Sequence, residues 1–478
     1  MAITVDEPVP RREPPKGVVS ERRDWGRTIR ESTPRAAFAD WAPGPDRADP
    51  IAILLAQDAG RIPELIPVRF GRMIASPFSF FRGSAAIMAA DLATMPSTGI
   101  FTQACGDAHL MNFGVVATPE RRLAFDLNDF DETHPAPFEW DVLRLAASIQ
   151  VASLEMDVPR KLGRAAATVA TRSYRETMTE LATLPYLDAW HSRMEVDSIL
   201  GRLASLGAKH QVKATEMLVA RAHMRAHLGT LAKYAERTDS GWQIRETPPL
   251  VVRIDANERT PGGSTVGQIV RTAYKRYVNS LRPDLRIFLG QYTLADTARK
   301  VVGIGSVAKG SFMMLLIGPR GDDPLFLQLK EAGPSVLEPY VGSESNASHG
   351  HHGERVVTGQ RLLQAASDEL LGWLGVDDLT RSLDLYVRRL RDGKLSVDLS
   401  VIDAEGLMNY AAACGEALAR AHARVGQAPE IAGYLGKGSS FDDAVASFAV
   451  AYAEQALADH RALVEAEGTG RIVATRGV

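Results

Sequence analysis

Residues 105–114 read Cys-Gly-Asp-Ala-His-Leu-Met-Asn-Phe-Gly, which places an acid, an imidazole and an amide close to two glycines. This composition is typical of a loop with an unusual backbone shape that carries functional groups. Two runs with strand character follow, at 113–117 and 123–127, separated by a turn at 118–121. We therefore expect a hairpin that returns a second acidic group, residues 126–132, to the side of the first.

The polar side chains of these two segments indicate a metal-dependent reaction. Carboxylate and amide oxygens at the mouth of a hairpin are ligands that Mg²⁺ accepts when it also holds substrate phosphates. Phosphoryl transfer needs such a metal and one further carboxylate that orients the attacking hydroxyl. We interpret Asp107 as that base and expect Asn112 and Asp129 to bind the metal. Asp126 competes with Asp129 for this role, and Asp131 belongs to the same cluster.

Simpler interpretations stand beside this one. Asp and Asn often cap turns in hairpins. His109 is better explained as a hydrogen-bonding residue that holds the loop than as a base, because an acid already fills that role. The upstream arginines could clamp a phosphate or pair with Glu64 or Asp91; they are Arg69, Arg72 and Arg82.

The spacing of Asp107 and Asn112, five positions apart, resembles the catalytic loop of protein kinases and aminoglycoside phosphotransferases. The run 129–131, Asp-Phe-Asp, is similar to the metal-binding motif of those enzymes. Trp140-Asp141-Val-Leu-Arg-Leu stands where the phosphotransferases begin a helix that braces the loop. This resemblance implies a two-lobed, kinase-like α+β fold with extra helical segments. It also implies an enzyme that uses ATP and Mg²⁺ to phosphorylate an unidentified hydroxyl acceptor.

One feature of the kinase loop is missing. Gly106 stands where protein kinases carry an arginine before the catalytic aspartate. Regulation by an activation-loop phosphate is therefore not expected.

The chain also resembles a large bacterial family known chiefly as a domain of unknown function. Three motifs carry this resemblance: Ser76-Pro-Phe-Ser-Phe-Phe-Arg-Gly83, Gly106-Asp-Ala-His-Leu-Met-Asn-Phe-Gly114 and Phe125-Asp-Leu-Asn-Asp-Phe-Asp-Glu132. The similarity covers most of the chain, and it implies no substrate.

A kinase-like site also needs a phosphate-covering loop and a lysine. Gly303 and Gly305, followed by Ser306, would allow backbone N–H groups to approach phosphate oxygens. Lys330 ends an apolar run, Leu325-Phe-Leu-Gln-Leu, that predicts a strand. Leu325, Leu327 and Leu329 would face a core, and Lys330 would then face the opposite side. The residues expected to bind the nucleotide are Gly303, Gly305, Ser306 and Lys330.

The order of these parts is reversed relative to kinases, in which the glycine loop and the lysine precede the catalytic loop. The chain is therefore interpreted as circularly permuted. The helix-like run 414–423 resembles the helix that precedes the catalytic loop in phosphotransferases. The acidic partner of Lys330 would be Glu338 or Glu354, between which spacing does not decide.

Composition shifts divide the chain into five segments. These are an extended N-terminal arm (1–50), a catalytic-loop and metal-binding segment (51–150), a helical subdomain (151–285), a β-rich nucleotide lobe (286–400) and C-terminal helices (401–478).

Several local elements are also predicted from the residue pattern. The aromatic run 76–82 suits a strand, and a helix is expected at 85–92. Two strands within 301–330 form a hairpin. A helix over 354–374 and a strand over 383–390 follow.

Bulk composition restricts the functional classes. The formal net charge of −3 gives no reason to expect a nucleic-acid partner. Two cysteines, no signal-peptide pattern and no apolar run of about 20 residues favour a reduced, cytoplasmic protein without a membrane span. The His349–His352 cluster is interpreted as a polar loop rather than a metal site.

Three alternative functions remain open at this point. A metal-dependent phosphohydrolase could use the acids of the two loops together with His109. A nucleotidyl transferase would use the same site. A non-catalytic regulatory module would bind the nucleotide without transferring any group.

Overall fold

The computed structural model describes residues 8–205, 216, 234–239, 241–259, 263–300, 307–342, 350–377, 382–390 and 395–477. The protein is of mixed α+β type. In the part of the chain that the structure describes, no helix combines the length and the apolar character needed to cross a bilayer.

The helices lie mainly before residue 206 and after residue 403. They are α1 Val19–Ser32, α2 Pro50–Ala56, α3 Ile66–Ile74, α4 Pro77–Gly83, α5 Ala85–Ala93, α6 Phe138–Glu155, α7 Arg160–Leu181, α8 Tyr186–His191, α9 Val196–Ser205, α10 Val266–Ser280, α11 Pro283–Leu289, α12 Glu338–Val341, α13 His352–Leu363, α14 Ala404–Ala423, α15 Ala428–Leu435 and α16 Ser440–Gly468.

Within the described ranges, the strands form two larger sheets and two hydrogen-bonded pairs. They are β1 Phe101–Ala104, β2 Phe113–Ala117, β3 Leu123–Leu127, β4 His134–Pro137, β5 Met194–Glu195, β6 Ala235–Thr238, β7 Gly241–Ile244, β8 Val251–Arg253, β9 Thr293–Lys300, β10 Ser311–Ile317, β11 Pro324–Glu331, β12 Gly372–Val376, β13 Leu383–Arg389 and β14 Leu395–Ser396.

The largest sheet is antiparallel and has the order β12-β13-β11-β10-β9-β8. Strands β10 and β11 form the predicted hairpin, in which Ser311 pairs with Lys330. Successive side chains of a strand point to opposite faces. Leu327 and Leu329 accordingly join the apolar cluster that includes Tyr277 of α10, whereas Lys330 points to the other face. This alternation was predicted from the sequence.

The polar segments 105–112 and 128–133 are brought together by two strand pairings. Strand β1 pairs with β4, with Ala104 opposite His134. Strands β2 and β3 form the predicted hairpin, with Phe113 opposite Leu127. Each polar segment therefore connects one pair to the other, and both lie at the same end of the strands. Helix α6 begins directly after β4 and runs beneath them.

Long alanine-rich helices support this arrangement. Helix α14 packs against α7 at a very short distance, because Gly415 has no side chain: a Cβ atom there would lie 2.0 Å from the carbonyl oxygen of Ala170. The closely packed helices bury a continuous apolar core that also contains α6, α15 and α16. This core fixes α6 and α14, whose side chains bind the loop at 105–112.

The N-terminal segment is more ordered than the predicted extended arm. Residues 19–32 form helix α1, and its Gly26 allows contact with α15, since a Cβ atom there would lie 2.1 Å from the carbonyl oxygen of Glu430. The side chain of Arg22 also binds the carboxylate of Glu430 at 2.5 and 2.9 Å. The stabilising contacts come from residues about 400 positions away, so local periodicity did not reveal them.

Two other local predictions were wrong. The aromatic run 76–82 forms helix α4, not a strand, because Ser76 caps the helix and Pro77 occupies its first turn. Phe78 and Phe81 are spaced by three and bury one helical face in the main core. The helix predicted over 354–374 ends at Leu363, and its last part is strand β12 instead, paired with β13.

Candidate functional site

The loop at 105–112 is fixed by the carboxylate of Asp141, at the start of α6. The backbone N–H of Cys105 donates to Asp141 Oδ2 at 2.6 Å, and that of Gly106 donates to Oδ1 at 3.0 Å. Gly106 has φ of +80°, and a Cβ atom there would lie 2.2 Å from the carbonyl oxygen of Glu132. Glycine is therefore required where the two polar segments touch.

A buried histidine fixes Asp141 in turn. His422 Nε2 lies 3.1 Å from Asp141 Oδ2, and its Nδ1 lies 2.9 Å from the hydroxyl of Tyr174. Because a carboxylate only accepts, Nε2 donates the hydrogen bond to Asp141. His422 belongs to the last turn of α14. Sequence reasoning did not assign a contact to this histidine.

The remainder of the loop is held by neighbouring helices. The backbone N–H of Leu110 donates to Ser148 Oγ at 2.9 Å. The hydroxyl of Tyr410 donates to the carbonyl oxygens of Leu110, at 2.8 Å, and Phe113, at 3.1 Å. The inner side of the loop therefore has its polar groups paired.

Asp107 lies on the opposite, partly exposed side of the loop. Its Oδ1 accepts from Arg144 Nε at 2.6 Å, and its side chain is 23 % exposed. Burial, together with the charges of Glu132 and Asp129, raises the pKa of Asp107 to about 6, although Arg144 opposes the shift. The carboxyl group therefore changes protonation state near neutral pH. Arg144 lies three residues after Asp141, on the same side of α6, and this spacing could have indicated its role.

His109 stays neutral beside this carboxylate. Its Nε2 lies 3.8 Å from Asp107 Oδ2, too far for a hydrogen bond. Burial, reinforced by the charges of Arg82 and Arg144, lowers the pKa of His109 well below its ordinary value. A neutral ring does not suit a second base, but the buried Nδ1 has no hydrogen-bond partner within the described ranges, so the predicted hydrogen-bonding role in the loop is not supported either.

Asn112 is buried, and its amide group bridges the two polar segments. Nδ2 donates to the carbonyl oxygens of Asp107, at 3.0 Å, and Asp129, at 2.9 Å. In the part of the chain that the structure describes, its Oδ1 accepts no hydrogen bond. The amide is thus oriented so that its oxygen, the atom a hard cation takes, remains available.

Asp129 is the most exposed acid of the site. Its side chain is 44 % exposed, and Oδ1 lies 3.1 Å from the N–H of Phe130 and 3.4 Å from Lys330 Nζ. Its position beside Asn112 agrees with the preference for Asp129 over Asp126. The carboxylate of Asp126 instead accepts from the backbone N–H groups of Leu127 and Ala365. These contacts hold the Asp126 carboxylate within the fold, so its predicted metal role gains no support from the structure.

Lys330 reaches this acidic segment from the large sheet, about two hundred residues away in sequence. Its Nζ lies 2.7 Å from Asp131 Oδ2, and its side chain is 4 % exposed. Burial would lower the pKa of Lys330, but the charges of Asp129 and Asp131 outweigh it and raise the pKa. Tyr386, opposite Lys330 in the sheet, donates its hydroxyl to Asp131 Oδ1 at 2.5 Å. Burial would raise the pKa of Asp131, but Lys330 lowers it well below the usual range.

The predicted acidic partner of Lys330 was wrong. Among the described residues, the carboxylates within ion-pair distance of Lys330 are those of Asp129 and Asp131, rather than Glu338 or Glu354. Strand β11 directs the ammonium group towards the 128–133 segment. Asp131 is consequently occupied by a lysine and a tyrosine, which argues against the metal role predicted for it.

Arg355 of α13 binds the backbone of the 128–133 segment and of Gly333, which follows β11. Its guanidinium donates to the carbonyl oxygens of Thr133, Asp131 and Gly333 at 2.5 to 2.8 Å. No motif in the sequence indicated this residue. Its contacts are to backbone atoms, which carry no recognisable side-chain pattern.

The predicted glycine loop is described only at its end. Gly303, Gly305 and Ser306 lie outside the described residues. Lys309 lies 3.8 Å from Glu132 Oε1. The described end of the loop thus adjoins the acidic segment.

The described residues do not form a metal site from their carboxylate, imidazole and thiol groups alone. Within the described ranges, no group of three or more His, Cys, Asp and Glu side chains is arranged to hold a metal ion. The oxygens that fit Mg²⁺ by type and availability are those of Asp129 and Asn112. Mg²⁺ commonly binds through one or two protein oxygens, substrate phosphates and water, so this small set fits it.

The chain belongs to a family of bacterial proteins. The family model described as "Uncharacterized protein conserved in bacteria (DUF2252)" matches residues 61–466, which include both polar segments and Lys330. No curated protein matches the chain significantly. No solved structure does either.

Proposed function

We propose that the protein is a Mg²⁺-dependent phosphotransferase that transfers a phosphoryl group from ATP to a hydroxyl group. The observation that supports this most is the meeting of Lys330 with Asp129 and Asp131, across about two hundred residues. Kinase-like sites need a strand lysine for the phosphates beside the metal-binding acid and the loop with its base and amide. These residue types lie together here, each on a different element.

The reaction would proceed through residues of the two polar segments. Asp107 accepts the proton of the acceptor hydroxyl while the oxygen of that hydroxyl forms a bond to the γ-phosphorus. The bond between that phosphorus and the β–γ bridging oxygen breaks, and the electron pair leaves with ADP. Mg²⁺ on Asp129 and Asn112 would neutralise charge on the phosphates. Asp107 later releases its proton to solvent, so the enzyme is restored.

The proposal includes a permuted, kinase-like fold. The glycine-bearing segment is followed by β10 and then by β11, which carries Lys330. In kinases the glycine loop likewise precedes the lysine, which lies on the third strand. Helix α14 ends beside the start of the loop, where Thr102 Oγ1 donates to the carbonyl oxygen of His422 at 3.5 Å. This contact supports the permutation, since α14 would precede the loop in an unpermuted chain.

A calorimetric titration with ATP, with and without Mg²⁺, tests the proposal. We expect Mg²⁺-dependent binding by the wild-type protein and its loss in Asp129→Ala. Asp188→Ala, which removes an exposed acid on α8, is the matched control and should bind as the wild type does. Absence of ATP binding by the wild-type protein, or unchanged binding and turnover in Asp129→Ala, would contradict the proposal.

Mass analysis of reaction products separates the related functions. A product that gains a phosphoryl group supports the proposal, whereas one that gains a nucleoside monophosphate indicates nucleotidyl transfer. ATP binding without any product indicates a regulatory module. Hydrolysis of phosphate esters without ATP indicates a phosphohydrolase.

A further inference from the structure

Arg82, in the last turn of α4, has no partner for its charge among the residues that the structure describes. Its buried Nε makes no hydrogen bond, and no carboxylate of the described residues lies within ion-pair distance of its guanidinium. Buried polar groups in folded proteins are nearly always paired, and an unpaired charged one is costly. Arg82 is therefore an exception that needs an explanation.

Other buried arginines of this chain are paired. Arg69 binds the carboxylate of Asp58 at 2.7 Å and the side chain of Gln57 at 2.9 Å. Arg47 binds Asp91 and Asp459 at 2.7 to 2.9 Å. The end nitrogens of both guanidinium groups are thus paired, although Arg69 Nε, like Arg82 Nε, has no hydrogen-bond partner within the described ranges. Arg82 differs because no acid of the described residues lies within ion-pair distance of its guanidinium group.

Arg82 lies near the candidate site, because Arg144 donates both to the carbonyl oxygen of the preceding residue, Phe81, and to Asp107 Oδ1. Burial lowers its pKa, while the carboxylates of Asp107, Asp129 and Glu155 act on it from a distance and oppose this shift. Its charge also acts on His109, whose buried Nδ1 has no hydrogen-bond partner within the described ranges. Two nitrogen-bearing side chains without full partners therefore lie beside Asp107.

Helix α4 is fixed at both ends, so the direction of Arg82 is well defined. At its start, the N–H of Phe78 donates to Glu155 Oε2 at 3.1 Å. At its end, Arg144 donates to the carbonyl oxygen of Phe81 at 2.9 Å. Both partners belong to α6, the helix that also carries Asp141. The motif at 76–83 thus positions an arginine on the same support as the loop.

We propose that Arg82 binds the oxygens of a substrate phosphate group that lies beside Asp107. This inference rests on the proposed function, in which Asp107 acts as the base. A guanidinium group offers a planar fork that matches two phosphate oxygens. The phosphate belongs either to the γ-position of ATP or to a phosphate ester carried by the acceptor.

Titration calorimetry with three probes, MgATP, MgADP and inorganic phosphate in the presence of MgADP, tests the inference. The variants are Arg82→Gln and Arg164→Gln, the latter an exposed arginine of α7 that serves as control. We expect Arg82→Gln to weaken MgATP binding by about tenfold or more and MgADP binding by less than about twofold. Arg164→Gln should bind every probe as the wild type does.

The probes distinguish the two phosphate sources. Loss of phosphate binding in Arg82→Gln, with MgATP binding unchanged, assigns the site to a phosphate on the acceptor. Equal binding of all three probes by Arg82→Gln and the wild type overturns the inference. So does a loss of MgADP binding as large as that of MgATP, because ADP lacks the γ-phosphate.

Failure of the proposed function gives a different result. If the wild-type protein binds neither nucleotide, the proposed function fails, and titration with inorganic phosphate alone decides the inference. Loss of that binding in Arg82→Gln supports the subsite, and its absence from the wild type overturns it. Thermal unfolding checks the variant: because no described residue pairs with the charge of Arg82, Arg82→Gln should unfold no earlier than the wild type, whereas a structural arginine would lower the midpoint.

Discussion

The two sides of the loop at 105–112 differ in how their polar groups are paired. On the inner side, Asp141 accepts two backbone hydrogen bonds and contacts His422, and it is 1 % exposed. On the outer side, Asp107 and Asp129 keep exposed carboxylate surface, and no described residue pairs with the charge of Arg82. Complete pairing indicates a structural role, whereas incomplete pairing indicates groups that await a ligand. We therefore interpret the inner side as the part that stabilises the loop and the outer side, called the working surface below, as the part that would bind ligands.

The largest expected effect is on the inner side. Asp141→Ala leaves the buried N–H groups of Cys105 and Gly106 without an acceptor, so we expect the free energy of unfolding to fall by about 3 to 5 kcal/mol. Urea denaturation followed by circular dichroism measures it. Asp24→Ala breaks an exposed ion pair with Arg27 and should cost less than about 0.5 kcal/mol. A loss in Asp141→Ala no larger than that of the control would show that Asp141 does not support the loop.

A somewhat smaller loss of stability is expected at the ion pair between Lys330 of the large sheet and Asp131 of the 128–133 segment. Lys330→Met leaves the buried carboxylate of Asp131 without its cation and should lower the free energy of unfolding by about 3 kcal/mol. Adding Asp131→Asn removes that charge and should restore part of the loss, while nucleotide binding stays impaired. Additive losses in the double variant, measured by the same denaturation, would mean that the two side chains are not coupled.

The smallest effect concerns the protonation of Asp107 on the outer side. Its folded-state pKa, about 6, is raised above the ordinary value, so the folded protein holds this proton more tightly than the unfolded chain. The resulting stabilisation is fully present below about pH 4 and is lost as the pH rises through 6. We expect wild-type stability to fall by about 2 kcal/mol across this range relative to Asp107→Asn. Metal-free unfolding at several pH values measures this difference, and parallel curves for the two proteins would contradict it.

The comparison also shows what the sequence could predict. The hairpin of β2 and β3, the pairing of β10 with β11 and the direction of Lys330 depend on local alternation, so they were predicted. The brace by Asp141 was available from the resemblance to phosphotransferases. Each of these features is encoded within a short stretch of chain.

Other features depend on contacts between distant segments. The partners of Lys330 were misassigned because strand register, not spacing, directs it to Asp131. Asp126 and Asp129 are three residues apart, yet Asp126 lies within β3 and is buried, whereas Asp129 follows the strand and is largely exposed. Spacing alone does not show this difference. The aromatic run 76–82 is helical because of its cap and its packing, although its composition also suits a strand. That packing places Arg82 near the site.

The structure of the protein bound to Mg²⁺ and a non-hydrolysable ATP analogue tests the central claim most directly. The account predicts Mg²⁺ about 2.1 Å from a carboxylate oxygen of Asp129, with the phosphates between Lys330 and Arg82 and the γ-phosphate facing Asp107. A nucleotide bound elsewhere, or a metal that does not contact Asp129, would contradict the assignment of the outer side of the loop as the working surface.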